Sequence, residues 1–352
     1  MRAIKQPMRH SWGVVVVAAL ACMATLAVVN TRADVYSDGA GYITLTITGT
    51  NNVGSPSLSV LGLGMTGIVQ NRGVLTVGVP QQIGVNQTLV PNQFAADANG
   101  NPQYFIEDIT GANAGTVQDI ISNDVNNVYT VSDISSFITT GDNYKIYPHW
   151  TINGVFGNAD QAGLAPTAAG DQIVIYRNGT FQTYYWQPAS GRNPAEWANA
   201  SISGNQGDTV LYIDDAIFIE RQNVGTNTLV TLAGGVKLGP TKVYVGPGPG
   251  NVYLGNMYAT SAMTLDSSSL YVDGNPDDSV VPTPNADDVL LYASPNWTTY
   301  YYQAASGRTP AEWASASISG NQGGTPIPIG RGFIVELTGS HPGFTWTVPP
   351  PY

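Results

Sequence analysis

The 352-residue chain has one cysteine, Cys22, and three histidines. Cys22 lies inside an apolar run, Gly13 to Val29. Everything after it is free of thiols, which excludes a disulfide, a thiol nucleophile and a thiolate metal site from that part of the chain. Positive charge is also scarce: 13 Lys and Arg stand against 24 Asp and Glu. Nucleic acid is bound by clustered Lys and Arg, so it is not an expected partner. No long amphipathic helical period occurs, and after Val29 no run is long and apolar enough to span a bilayer. There is no phosphate loop, no dinucleotide fingerprint and no cluster of metal-binding histidines.

What is present begins with a targeting layout. Arg2, Lys5 and Arg9 precede the apolar run, and Thr31-Arg32-Ala33 places small residues at the −3 and −1 positions before Asp34. This predicts a signal peptide over 1–33, with an uncleaved anchor as the rival reading. Ala19-Leu20-Ala21 before Cys22 hints at acylation, but Met23 to Val29 stays apolar where a lipoprotein turns polar. The expected product is secreted, at the cell surface, in the medium or in a periplasm, with no membrane contact after cleavage. Its acidity suits solubility.

The body of the chain reads as strands. "YITLTITG" (42–49) alternates apolar and polar residues, and "DQIVIY", "AIFIE", "TKVYV" and "DVLLY" are rich in β-branched and aromatic residues. "RNGT", "GPGPGN" and "DGNPDD" punctuate them as turns. "VQDIIS" (117–122) reads as a possible helical turn. The expected fold is all-β, built from several small β-sandwich or β-barrel-like modules.

The C-terminal two modules are duplicated. "YYWQPASGRNPAEWANASISGNQG" from Tyr184 returns at Tyr300 as "YYYQAASGRTPAEWASASISGNQG", with 20 of 24 positions identical. At the same offset Asp171 matches Asp287, Tyr176 matches Tyr292, Phe181 matches Trp297 and Glu220 matches Glu336. The expected domains are an N-terminal β-region over 34–144, a first repeat over 145–249, a second over 250–340 and a loose tail over 341–352. Two copies are too few for a solenoid.

Within the repeated phrase, Thr309-Pro310-Ala311-Glu312 and Asn193-Pro194-Ala195-Glu196 read as helix starts, with a polar cap, Pro at the first position and Glu behind it. Trp197 and Trp313 then fold onto a sheet, and Arg192 and Arg308 pair locally with Glu196 and Glu312. This is a packing device. The functional alternative is an aromatic platform for a sugar, using Trp186, Trp197, Tyr302 and Trp313, with Arg192 and Arg308 binding hydroxyls. "SGNQG" (203–207 and 319–323) supplies further amides.

Catalytic groups are few. His149 and His341 have no nucleophile elbow and no matching acid nearby in sequence, and both read as structural. The pairs Glu107/Asp108, Asp214/Asp215, Asp277/Asp278 and Asp287/Asp288 are adjacent, so on a strand their members point to opposite faces. Two loops space oxygen ligands as calcium loops do: Asp97, Asn99 and Asn101, and Asp273, Asn275 and Asp277. Both depart from the full loop pattern, and their residues are equally those of ordinary turns. No cofactor is expected, with Ca2+ left open.

The order "GYITLTI", "FIEDITGANAGTVQDIISNDVNNVYTV", "GDNYKIYPHWTINGVFG", "DQIVIY", "AIFIE", "DVLLY" and "GFIVEL" resembles a family of secreted proteins from Verrucomicrobia-type bacteria that carries no assigned activity. The resemblance implies bacterial export and an all-β build, and no functional residues. The "SGRNPAEWANAS" segment is longer and richer in Ala than the family's link at that point. The expected role is structural or adhesive, at the cell surface or in an extracellular matrix, without catalysis. Carbohydrate binding is the alternative and a glycoside-active enzyme the third reading. Expected partners are extracellular polysaccharide or further copies of the chain.

Overall fold

The computed structural model describes residues 39–49, 55–133, 138–222, 225–259, 263–272, 279–283, 286–339 and 341–350. The signal-peptide reading over 1–33 and the loop of Asp273, Asn275 and Asp277 lie outside them. The first described strands are β1 (Ala40–Ile47) and β2 (Ser57–Leu61). Six more follow: β3 (Asn71–Val79), β4 (Gln82–Val85), β5 (Tyr104–Asp108), β6 (Val117–Asn123), β7 (Asn127–Thr130) and β8 (Asn143–Pro148). Then come β9 (Trp150–Thr151), helices α1 (Ile152–Phe156) and α2 (Ala159–Ala162), β10 (Gln172–Arg177), β11 (Thr180–Gln187), β12 (Glu196–Asn199), β13 (Val210–Leu211), β14 (Ile217–Arg221) and β15 (Thr228–Gly235). The last run is β16 (Thr241–Val245), β17 (Gly250–Gly255), β18 (Met263–Thr264), β19 (Asp288–Ala293), β20 (Asn296–Gln303), β21 (Glu312–Ala314), β22 (Pro326–Ile327), β23 (Gly332–Leu337) and β24 (Phe344–Val348).

These strands make two copies of one sandwich. In the first, the antiparallel sheet β12-β11-β10-β14-β2 is accompanied by the pair β1–β15 and the short pair β9–β13. In the second, β21-β20-β19-β23-β17 is accompanied by β16–β24 and β18–β22. Each strand of one copy has its counterpart in the other, in the same order and pairing. The alternation seen in sequence is what fills each core. In β1, Ile43, Leu45 and Ile47 are buried and face the first core, while Tyr42 and Thr44 point out. In β24, Phe344, Trp346 and Val348 do the same for the second.

The largest difference among the described residues is the link between the second and third strands. In the second copy it is residues 256–262. In the first the chain leaves at 62, builds a closed six-stranded barrel, β3-β4-β7-β6-β5-β8, and returns at β9. The barrel has its own core of Leu75, Ile83, Phe94, Ile106, Ile120, Val128, Tyr144 and Ile146, among others. Gly67 packs directly against Pro148, where a Cβ would sit 2.5 Å from the proline ring. The barrel's two stems are therefore neighbours, which is what lets it sit inside a sandwich without disturbing it.

The expected module limits shift accordingly. The N-terminal region is not separate from the repeat: β1 and β2 belong to the first copy. That copy takes in 40–66 and 150–235, the barrel 71–148, and the second copy 241–348. The expected loose tail is a sandwich strand at 344–348, paired with β16 and anchored by Trp346, which is 0% exposed. Residues 117–122 form strand β6 and not a helical turn, because β5 and β7 pair with it on both sides.

The repeated phrase is also corrected. The predicted helix starts are tight turns leading into strands. The backbones of Ser190 and Asn193 bond each other at 3.1 and 3.0 Å, and those of Ser306 and Thr309 do likewise. The chain then runs on as edge strands β12 and β21. A single helical turn gains little by itself, whereas an edge strand gains a full ladder, and Pro at the start of an edge is tolerated. The tryptophans do pack under the sheet. Trp197 lies opposite Trp186 and Trp313 opposite Tyr302, with ring centroids 5.5 and 5.6 Å apart.

Candidate functional site

The two sandwiches meet through the outer faces of their large sheets. Near the contact the residues are small. A Cβ on Gly62 would lie 2.6 Å from the Asn256 nitrogen, and one on Gly255 would lie 2.4 Å from the Asp215 carbonyl. Leu61 bridges to Arg331, and the equivalent Leu254 bridges to Asp215, the equivalent of Arg331. The two bridges relate the copies by a local pseudo-twofold.

Away from that axis lies a cleft of about 580 Å³. Its aromatic wall is Phe181, Phe218, Tyr253 and Trp297, and Val174, Leu290 and Ile334 line the rest of its apolar surface. Phe181 stands 6.0 Å from Phe218 and 5.2 Å from Tyr253, ring to ring. It is 52% exposed, far more than a core aromatic. Trp297, its counterpart in the second copy, is half-buried and leans on Tyr292 at 5.0 Å. Gln172, Thr183 and Glu220 supply amide, hydroxyl and carboxylate groups along the first copy's side. Each reaches the cleft because alternate residues of β10, β11 and β14 share one sheet face.

The sequence-predicted sugar contacts are elsewhere. Trp197 and Trp313 are each 1% exposed, so neither ring offers a face to a ligand. Trp197 Nε1 donates to the Gly157 carbonyl at 2.6 Å. Trp186 packs on the first core. Tyr302 is stacked on Tyr271 with centroids 3.5 Å apart. Arg192 and Arg308 are exposed on the turns and form no ion pair with Glu196 or Glu312. The amides of "SGNQG" are used internally. Gln206 Nε2 donates to the carbonyls of Ser203 and Gly204, and Gln322 does the same with Ser319 and Gly320. The residues that do line the cleft were visible only as the match of Phe181 with Trp297 in the repeat.

A second cavity, of about 310 Å³, lies between the barrel and the first sandwich. His149 Nε2 is 2.9 Å from Asp119 Oδ1, and the ring sits between Phe105 and Tyr212 at 4.9 and 5.0 Å. Asp214 lines the same cavity, and burial, then the neighbouring Asp215, push its carboxyl up to about 6. Burial pushes the Tyr212 hydroxyl up to about 12. Arg177 lies over the Tyr212 ring at 4.4 Å and makes a two-pronged pair with Asp215. Burial works against its charge, but Asp215 keeps its pKa above the ordinary value. Among the described residues no serine, threonine or lysine lines this cavity.

His149 and His341 each have an acid close in space that lies far from them in sequence. For His341 it is Asp287, at 3.8 Å. Gly343 N donates to His341 Nδ1, so Nε2 carries the proton and donates to the Ser279 carbonyl. Both side chains are sealed, at 1% and 0% exposure. Asp287 is the counterpart of Asp171, and each ties down the same loops. Asp171 accepts from Ala165 N and Gln222 N, and Asp287 from Val281 N and Thr338 N. Arg221 compensates the first charge at 3.1 Å. Its counterpart in the second copy is Leu337, and His341 is the basic group beside Asp287.

The loop at Asp97, where the sequence leaves Ca2+ open beside an ordinary turn, bonds within itself. Asp97 Oδ1 accepts from the backbones of Asn99 and Asn101, both at 2.8 Å, and Oδ2 accepts from the Asn101 amide. Asn99 and Asn101 are exposed. Among the described residues no three His, Cys, Asp or Glu side chains converge as metal ligands. Compared with protein-family models, curated proteins and solved structures, the chain matches none.

Proposed function

We propose that this is a secreted, non-catalytic adhesive protein that holds an extracellular polysaccharide in the cleft between its two sandwiches. The observation that carries the reading is the aromatic wall to which both copies contribute, with Phe181 exposed and Trp297, half-buried, at the equivalent position. Flat rings take the apolar faces of sugars. Glu220, Gln172 and Thr183 offer the few convergent polar groups that orient hydroxyls in such a site. The duplication then has a use: two sheets that each bury one face present two half-walls where their other faces meet.

The test is retention of the protein on a panel of insoluble and acidic polysaccharides, beside a Phe181→Ala/Trp297→Ala variant. Retention that the folded double variant loses supports the cleft. Retention equal in both, or none on any polymer, overturns it. Concentration-dependent assembly of the unretained protein would return the role to a structural one.

A further inference from the structure

We propose that one end of the inserted barrel is a site for a hard divalent cation of the calcium class, held by Asp108, Asp142 and Thr116. Four buried side-chain polar atoms among the described residues lack a hydrogen-bond partner, and three of them are here: Asp108 Oδ2, Asp142 Oδ2 and Thr116 Oγ1. Buried polar oxygens are almost always satisfied, so three orphans at the ends of three neighbouring strands call for a partner.

Register places them together. Ile106 of β5 lies opposite Ile146 of β8, and both are barrel core. Asp108, two residues on, lies opposite the buried Tyr144 on the same inward face. On the other side Glu107 pairs with Val117, so Asp108 faces Thr116, and its backbone nitrogen donates to the Thr116 carbonyl at 3.0 Å. Asp142 precedes Tyr144 by two residues. Its carboxylate lies over Gly111, where a Cβ would fall 2.5 Å from Oδ2. Asp108 is 5% exposed. Thr110 N donates to Asp108 Oδ1 at 3.2 Å, and Oδ2 is left without a partner. The Lys242 ammonium donates to the Ala112 carbonyl. Two carboxylates and a hydroxyl form an all-oxygen set, which suits Ca2+ and offers nothing to softer metals.

The site also sits where the barrel meets the connection between the sandwiches. Lys242 N donates to the Gly115 carbonyl at 2.8 Å, and Gly115 packs against Pro240. A bound cation would therefore fasten the 109–116 loop, and with it the barrel, to that connection.

The experiment is calorimetric titration of the metal-stripped full chain with CaCl2, with thermal melts in Ca2+ and in EDTA. One binding event per chain and a Ca2+-dependent rise in Tm are expected, since a ligand that binds only the folded state stabilises it. Asp108→Asn and, separately, Thr116→Val should lose the binding heat and the rise. Asp108→Asn should match or exceed the wild-type Tm in EDTA, because a buried charge is gone. Asp97→Asn should leave both readouts intact. The proposal is overturned if the wild type shows neither heat nor Tm rise with Ca2+, Mg2+ or Mn2+. It is equally overturned if folded Asp108→Asn binds like wild type.

Discussion

Asp214 shows how one buried carboxyl sets a pH dependence. Its proton affinity is raised by burial first, then by Asp215 and Asp119, with Arg177 pulling the other way. A carboxyl whose folded pKa lies above its unfolded value favours the fold when protonated. Its contribution is fully present below about pH 4 and is lost as pH rises through about 6. Asp214→Asn should therefore be more stable than wild type at neutral pH, by about 1–2 kcal/mol after allowance for partial solvent screening. The difference should vanish below about pH 4, as read by urea denaturation across that range. A constant difference at all pH values would refute this account. Asp171 and Asp287 make the complementary point. The same carboxylate is kept in both copies because it accepts backbone donors from two loops, while the basic group beside it has changed from Arg221 to His341.

At the scale of elements, the repeated phrase is an edge strand with its own fastening. A Tyr-rich strand, a tight turn, a Trp-bearing return strand and a Gln-braced loop make one hairpin, used twice. Its near-identity is explained by packing, since Trp197 and Trp313 are among the largest fully buried side chains. Trp313→Ala should cost about 3–5 kcal/mol, the usual toll of emptying a large aromatic site. The second sandwich should lose protection from amide exchange before the barrel does, because Trp313 touches only the second core. A loss below about 1 kcal/mol, within the range of an ordinary surface change, would mean that the hairpin is not what anchors the sheet.

For the whole molecule, the decisive contact is the local pseudo-twofold between the sandwiches. It works because Gly62 and Gly255 let backbones touch, and Gly332 lies between Val60 and Ala216. A methyl at Gly62 meets backbone atoms that no rotamer change can move. Gly62→Ala should cost about 1–3 kcal/mol, the range for overpacking, and should open the seam. The readouts are a lower Tm and a larger radius of gyration by small-angle scattering. If polysaccharide retention depends on both walls, it should fall in parallel. An unchanged radius and Tm would show that the contact is not fixed by these glycines.

Much of the fold could be read along the chain, and the candidate site much less. Strand character, turn positions and the duplication were legible because alternation, β-branching and repeated words are local properties. The error over "NPAE" and "TPAE" is instructive. Local capping chemistry favoured a helix, but the neighbouring strand offered a ladder, and pairing across the sheet won. Membership was not legible either. Nothing near Ala40 or Phe344 announces that each completes a sandwich with a partner far away in sequence, or that a barrel interrupts the first copy. The cleft was invisible for the same reason. Phe181 and Trp297 look like ordinary strand aromatics until two sheets place them on one wall. The orphaned oxygens of Asp108, Asp142 and Thr116 come together only when β5, β6 and β8 lie side by side. The sequence by itself determined which residues form strands and which face each strand buries, because side-chain period and apolarity act over a few residues. Only the tertiary structure decided which strands are neighbours and which exposed faces meet, because those depend on chain closure over distances that no local pattern encodes.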